Sequence, residues 1–478
     1  MKRSPVNGAA PAATTLTPTL APGDVVEIEC TDLIAKTGQA VGRAGGMVVY
    51  VLGPVPGERA RVRIESVKAK YAVGELVESL SRSPDRAEPF CRLFGQCGGC
   101  QVQHLAYPAQ LVWKRDLVTG ALRRIGGILD ARVAPTIGMA EPRAYRNKMA
   151  LVVRHGEEKP DFGFYAARTH DVVPVERCPV VLPQLDRVIS GLWAAASDPE
   201  AVPAFAGVRH VVARAARASG QNTVSLTSER PARALAGSAT ALAAHLPGVA
   251  GIANSYDPPS PNAVLGRRNA TAFGRSEVEE TIDGVRFRVS PASFFQVNGE
   301  MVGQIFAYLA PYLMRVETIL DLYSGAGTFA LFFARAGAHV LGIEENPNAV
   351  REAGANARLN GLSQRTEFLA GRVDTVLRTP LGAERLRAAD LVFLDPPRKG
   401  SDEATLEALA AARVEHVWYL SCNPATLARD LAYLLARGYK LASVQPFDMF
   451  PQTGHIEALA IVHRGDVTPF DFPAAEGA

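Results

Sequence analysis

Of the six cysteines in this 478-residue chain, the one in the most reactive setting stands in Tyr419-Leu420-Ser421-Cys422-Asn423-Pro424, at the end of an apolar run that reads as a strand. A lone cysteine is ordinarily an inert core filler. At a strand end beside a binding edge, its thiolate is instead a nucleophile suited to an electron-poor carbon such as C6 of uracil. Addition there would make C5 enolate-like and able to take a methyl group by in-line displacement. A base must then remove the C5 proton before the thiolate can leave. Phe450-Pro451-Gln452-Thr453-Gly454-His455-Ile456-Glu457 offers two candidates for that base. Glu457 opens the last apolar run, where loss of water raises a carboxyl pKa toward a value useful for proton transfer. His455 is the rival, and reads more readily as a loop contact.

A second group of residues suits a nucleotide-like ligand. The run Ile319-Leu320-Asp321-Leu322-Tyr323-Ser324-Gly325-Ala326-Gly327-Thr328-Phe329 puts a glycine turn, with Gly325 at its centre, between an apolar strand and a helix. A Gly-x-Gly alone is weak. It gains weight from Gly342-Ile343-Glu344, which closes the next apolar run about 20 residues on. Glu344, taken as the first residue past that strand, can accept hydrogen bonds from ribose hydroxyls; its plainer role is a solvated carboxylate. In Phe393-Leu394-Asp395-Pro396-Pro397-Arg398-Lys399-Gly400 two prolines fix φ and hold Asp395 toward the same ligand. Together these motifs resemble the Rossmann-like methyltransferases that use S-adenosylmethionine. A dehydrogenase more usually has three glycines in its first turn.

A third group is Cys91-x5-Cys97-Gly98-Gly99-Cys100, with Cys178-Pro179 far downstream. Four soft thiolates suit zinc or a 4Fe-4S cluster, and spacing does not settle which. The tight Cys97–Cys100 loop and the proline after Cys178 lean toward iron-sulfur, in a structural rather than redox role. Cys30 reads as a core residue. In a reducing compartment a disulfide framework is not expected.

The elements that must hold these groups fall into three parts after a lead-in. Residues 1–21 are rich in Ala, Pro and Thr, lack the apolar core of a signal peptide, and read as disordered. Residues 22–82 alternate polar and apolar positions in short runs (Val25–Glu29, Met47–Val51, Arg59–Ile64, Gly74–Val77) broken by glycine turns, which fits an OB-like β-barrel. Residues 83–285 mix a helix at Pro108–Ile125 with strands such as Met149–Val153 and Thr223–Leu226, an α+β domain that carries the cysteine group. Residues 286–478 alternate strands (Thr318–Leu322, Ala338–Ile343, Leu391–Leu394, His416–Leu420) with helices, the pattern of an α/β Rossmann-like domain. No apolar stretch is long enough to span a membrane. The net charge of +3 is nearly balanced. Local charge is not: Lys114, Arg115, Arg123, Arg124, Arg132, Arg143, Arg146 and Lys148 face only Asp116, Asp130 and Glu141. That excess suits either a solvated helix face or a phosphate-contacting surface. A cytoplasmic monomer with no obligate protein partner is expected.

At this point the chain resembles the RNA uracil-5 methyltransferases, in the branch that has an N-terminal TRAM domain and a 4Fe-4S cluster and acts on 23S ribosomal RNA. The resemblance runs from about Asp24 to Val462. It rests on the cysteine spacing, Ser293-Phe294-Phe295-Gln296-Val297-Asn298, Asp-Pro-Pro-Arg, Ser-Cys-Asn-Pro and Gly-His-Ile-Glu, all in order. It implies that Gln296, Tyr323, Glu344 and Asp395 contact S-adenosylmethionine, that Cys422 is the nucleophile and Glu457 the base, and that Cys91, Cys97, Cys100 and Cys178 hold the cluster. Some members have Asn where Thr328 stands, and Gly371-Arg372-Val373-Asp374 replaces an Asn-containing segment. Some cluster-bearing relatives act on transfer RNA. A stacked target base would have to be flipped into the cleft, with the barrel and the residues around Arg143, Arg146 and Lys148 holding the backbone. Three alternatives stay open: methylation of an exocyclic amino group, which needs no cysteine; cytosine-5 methylation; and a non-catalytic RNA-binding iron-sulfur protein.

Overall fold

The computed structural model describes residues 20–260, 263–290 and 294–465. All but the last two residues of the expected lead-in lie outside that set, as do Ser293 and everything beyond Gly465. The chain forms two compact units, divided between Glu88 and Pro89.

The first unit is a six-stranded sheet, antiparallel except where Met47–Val51 runs parallel to Tyr71–Ser79. Along Arg59–Val67 the residues Ala60, Val62 and Ile64 point inward and are buried, while Arg59, Arg63 and Glu65 stay exposed. This is the period-two pattern that pins register. Gly42, between the runs Val25–Glu29 and Met47–Val51, is among the glycines expected to form turns. Gly42 instead sits inside the strand Ala40–Ala44, because a Cβ there would come within 2.8 Å of the Ile28 side chain. Its bare backbone lets the sheet bend so that the first strand crosses closely.

In the second unit, a seven-stranded sheet built from residues 148–274 carries the helices Pro183–Ala195 and Arg233–Ala244. The C-terminal part supplies another seven strands: β1 (Thr318–Leu322), β2 (His339–Glu344), β3 (Thr366–Ala370), β4 (Leu391–Leu394), β5 (His416–Ser421), β6 (Tyr439–Phe447) and β7 (Glu457–Arg464). Their order is β3-β2-β1-β4-β5-β7-β6, parallel except for β7, which is antiparallel to both neighbours. Strands β4 and β5 are buried on both faces and accordingly read as nearly unbroken apolar runs. A train of rings packs on this sheet: Phe306 stacks on Phe332 at 4.0 Å, and Phe329, Phe333, Phe393 and Trp418 follow in edge or tilted contact. Each such ring buried contributes about 1.5–3 kcal/mol.

The helix Tyr107–Arg124 precedes the 148–274 sheet in sequence but packs on the helix Pro424–Leu435. The chain after it covers the open edge of β6, with Ala134 N–H donating to Val444 O and Val444 N–H to Arg132 O, both at 2.9 Å. Its inward face includes Gln110 and Lys114. The basic stretch is therefore not one solvated face: Lys114 is fully buried against Asp448 at 2.5 Å, while Arg143 stays exposed beside Glu141. Removing one partner of such a buried pair costs about 3–5 kcal/mol. Among the described residues no helix is long and apolar enough to cross a membrane.

Candidate active site

Parallel α/β sheets bind ligands beyond the carboxyl ends of their strands, where strand order reverses. Here the reversal falls between β1 and β4. A cavity of about 630 Å³ opens there, lined among others by Gln296, Asp321, Tyr323, Gly325, Glu344, Asp395, Arg398, Cys422, His455 and Glu457. Every sequence-derived cofactor and catalytic residue thus reaches one cavity.

The turn after β1 is shaped by backbone that most side chains disfavour. Gly325 and Gly327 have φ of +55° and +84°, and Tyr323 takes +67° without being glycine. A non-glycine residue held there costs of order 1–3 kcal/mol and persists only when its surroundings fix it. Tyr323 N–H donates to Ile343 O at 2.9 Å, and its hydroxyl pairs with Ser401 Oγ at 3.0 Å. Glu344 is the last residue of β2 rather than the first beyond it. One carboxylate oxygen accepts from Gly325 N–H at 3.0 Å and the other from Asn346 N–H at 2.7 Å. A carboxylate has about four acceptor positions, so two remain for ribose hydroxyls.

Asn423 ties the next two motifs together. Its Oδ1 accepts from Ala425 N–H at 3.1 Å and caps the helix that follows Cys422, while its Nδ2 donates to Arg398 O at 2.8 Å. The Asp395–Lys399 loop is thereby fixed beside the cysteine. Antiparallel β7 does the rest. Ser421 lies opposite Ala458 and Phe447 opposite Glu457, so Glu457 starts at the end where β5 delivers Cys422.

Charge in this corner is unusual. Burial and the neighbouring Asp395 push the Glu457 carboxyl well above its ordinary value, with Arg398 opposing. One of its oxygens is buried without a hydrogen-bond partner. Asp395 keeps some exposure to the cavity, yet the protein packed around it pushes its carboxyl up to about 7 against the hydrogen bond from Gln296 Nε2, 3.3 Å away. The Cys422 thiol is pushed up to about 11 by burial, then by Glu457 and Asp395, while Arg398 favours the thiolate. His455 is pushed down to about 4 by burial and by Arg398, Lys114 and Arg146. A histidine that stays neutral this far down is a poor proton acceptor at neutral pH, which favours Glu457 over its rival. The excess of carboxyls over cations suits a cofactor that carries a sulfonium and an ammonium.

The TRAM domain profile matches residues 19–77, and the tRNA (Uracil-5-)-methyltransferase profile matches residues 273–464. An uncharacterized RNA methyltransferase of Halalkalibacterium halodurans is 36% identical over 449 residues, 92% of this chain and 97% of that protein. The chain belongs to the RNA uracil-5 methyltransferase family. Its reaction is methyl transfer from S-adenosylmethionine to C5 of uracil in RNA. A Clostridium acetobutylicum relative, also an uncharacterized RNA methyltransferase, is 34% identical over 451 residues, 91% of this chain and 96% of its own length. The tRNA (uracil-54, C5)-methyltransferase of Pyrococcus abyssi, solved with S-adenosyl-L-homocysteine, shares the fold at a TM-score of 0.68 and 24% identity, over 91% of this chain and 100% of that one.

Other cavity residues of this methyltransferase carry weaker signals in the sequence. Asp321 is buried, with one oxygen unpartnered, and its carboxyl is raised well above the usual range by burial, Asp395 and Glu344. A lone charge inside the apolar run Ile319–Leu322 was the available signal. Arg398 and the rim aromatic Phe294, 71% exposed, gave no comparable one. The cysteine quartet lies apart from the cavity. Its thiols are near enough to act on one another: burial first, then Cys178, Cys97 and Cys91, push Cys100 up to about 12. Among the described residues no group of three or more His, Cys, Asp or Glu side chains is arranged to hold a metal ion.

Proposed function

We propose that the methyltransferase works through Cys422 and Glu457 and that its RNA is 23S ribosomal RNA. The observation that carries the chemistry is the meeting of a thiol and a raised carboxyl at adjoining ends of β5 and β7. Cys422 loses its proton to water, the thiolate pair bonds to C6 of the target uracil, and the C5=C6 pair shifts onto C5 and O4. Bound S-adenosylmethionine supplies the methyl that C5 takes. Glu457 then accepts the C5 proton, the C5–H pair restores C5=C6, and the C6–S pair returns to Cys422. Gln296, Tyr323, Gly325, Glu344 and Asp395 hold the cofactor, and Phe294 offers a stacking face to RNA at the rim.

Arg146, which lines the cavity, and Lys148 are assigned to the RNA backbone. The ribosomal target rests on the resemblance to the cluster-bearing branch, and transfer RNA is the second reading. Incubation with labelled S-adenosylmethionine and, in parallel, unmodified 23S ribosomal RNA and bulk transfer RNA should give 5-methyluridine in the ribosomal RNA alone. 5-Methyluridine confined to transfer RNA refutes the ribosomal target; another methylated nucleoside refutes the chemistry.

The four-part division at 1–21, 22–82, 83–285 and 286–478 belongs to the same proposal, as does a 4Fe-4S cluster on Cys91, Cys97, Cys100 and Cys178. The donor set supports a soft, cationic occupant: burial first, then neighbouring cysteines, raise the thiols of Cys97, Cys100 and Cys178, so their thiolates are destabilised without one. Protein prepared without oxygen should be brown, with about four iron atoms per chain. Cys100→Ser should lose the colour and iron; bound zinc in their place would overturn the iron-sulfur assignment.

A further inference from the structure

Between β6 and β7 runs the segment Asp448–Ile456, which delivers Glu457 to the cavity. It holds Gln452 at a φ of +69°, a conformation that a glutamine keeps only under constraint. The constraint is complete. Gln452 N–H donates to Gln110 Oε1 at 3.1 Å, its Oε1 accepts from Gln110 Nε2 at 3.0 Å, and its Nε2 donates to Pro142 O at 3.3 Å. Its carbonyl accepts from Gln101 N–H at 3.0 Å and Val102 N–H at 3.1 Å. One helical turn beyond Gln110, Lys114 Nζ donates to Asp448 Oδ1 and, at 3.0 Å, to Phe450 O, and Tyr145 hydroxyl holds Pro451 O at 3.0 Å. Neither Gln110 nor Lys114 lines the cavity.

A solvated helix face does not bury a glutamine and a lysine four residues apart, and here both side chains make their hydrogen bonds to this one segment and to the turn before their helix. We propose that Gln110 and Lys114 are positioning residues for the base: they hold the Asp448–Ile456 segment so that Glu457 meets the C5 proton of the covalent intermediate. The inference rests on the reading of Glu457 as that base. The step they govern is the last one, in which the proton passes from C5 to the Glu457 carboxylate and the C6–S bond breaks. Nucleophilic addition depends on Cys422 at the end of β5, whereas the hydrogen bonds of these two side chains to the far end of the chain go to Asp448, Phe450 and Gln452.

The test is single-turnover methylation of an unmodified 23S ribosomal RNA transcript, or of unmodified transfer RNA should that be the acceptor. Two quantities are followed: enzyme joined to RNA in a complex stable to SDS, and free 5-methyluridine-containing RNA. The variants are Gln110→Leu and the neutral pair Lys114→Gln/Asp448→Asn, which leaves no buried charge unmatched. S-Adenosylmethionine affinity within about threefold of wild type serves as the folding check. A misplacement of about 1 Å costs roughly a hundredfold in rate. The joined complex is therefore expected to form within about threefold of the wild-type rate and to release product about a hundredfold more slowly, so that it accumulates. If both variants release at the wild-type rate, or lose formation and release equally, the proposal is overturned. A Glu457→Gln control that traps nothing overturns the base reading and this inference with it. A control that traps complex beside variants that do not overturns this inference alone.

Discussion

Replacing Cys422 by alanine is expected to abolish methylation, by at least about four orders of magnitude, while leaving S-adenosylmethionine binding intact. The cofactor-side residues Gln296, Tyr323, Gly325, Glu344 and Asp395 come from other strand ends and loops, and none leans on the Cys422 side chain. Without the thiolate, uracil C5 is not nucleophilic enough to displace a methyl group, so nothing partial should survive. Cys422→Ser should be nearly as inactive, since a hydroxyl is far less acidic than a thiol. The wild-type thiol is itself hard to ionise. Pushed up to about 11, it is ionised at pH 7 to roughly one part in ten thousand. Arg398 and an arriving sulfonium are the charges that would increase that fraction. Transfer of a labelled methyl group, with calorimetric binding as control, measures both halves of the prediction. Residual transfer above about one per cent would fit methylation of an exocyclic amino group and would remove Cys422 from the mechanism.

Much of this centre was legible in the sequence because its strands are buried on both faces. Thr318–Leu322 and Leu391–Leu394 fall where their apolar runs place them, and in a parallel sheet the residue just past such a run lies at the binding edge by construction. Glu457 was legible for a related reason, since it opens the final run. What the sequence did not show is that β7 runs antiparallel between β5 and β6. That single reversal, rather than any local pattern, brings residue 457 to residue 422. Lys114 was misplaced because charge composition says nothing of a partner more than 300 residues away: its companion Asp448 lies in a loop with no periodicity. Gly42 reads as a turn rather than a strand residue because the reason for a bare backbone inside a strand is a neighbour across the sheet.

Replacing Glu457 by glutamine should have a different outcome from losing the cysteine: slow turnover, by about 10²- to 10⁴-fold, with enzyme joined to methylated RNA accumulating in place of product. Glutamine keeps the shape and cannot take a proton. Addition and methyl transfer precede the need for a base, so they should proceed and leave a Cys422–C6 bond that only proton removal can break. The raised pKa of Glu457 sets the pH dependence. Burial and Asp395 favour its protonated, inactive form over the ionised one, so product release in the wild type should rise with pH and level off once the carboxyl is ionised. The same rise should vanish in Glu457→Gln, whose residual rate depends on water. A sulfonium held by Asp395 would favour ionised carboxyls there, and its loss on methyl transfer would add to the effect. Their affinity for a proton therefore increases at the step where Glu457 must accept one. Quench-flow separation of joined and free RNA between about pH 6 and 9 reads this directly. A Glu457→Gln enzyme that forms no joined complex, or a wild-type release rate that falls as pH rises, would assign the base to another group.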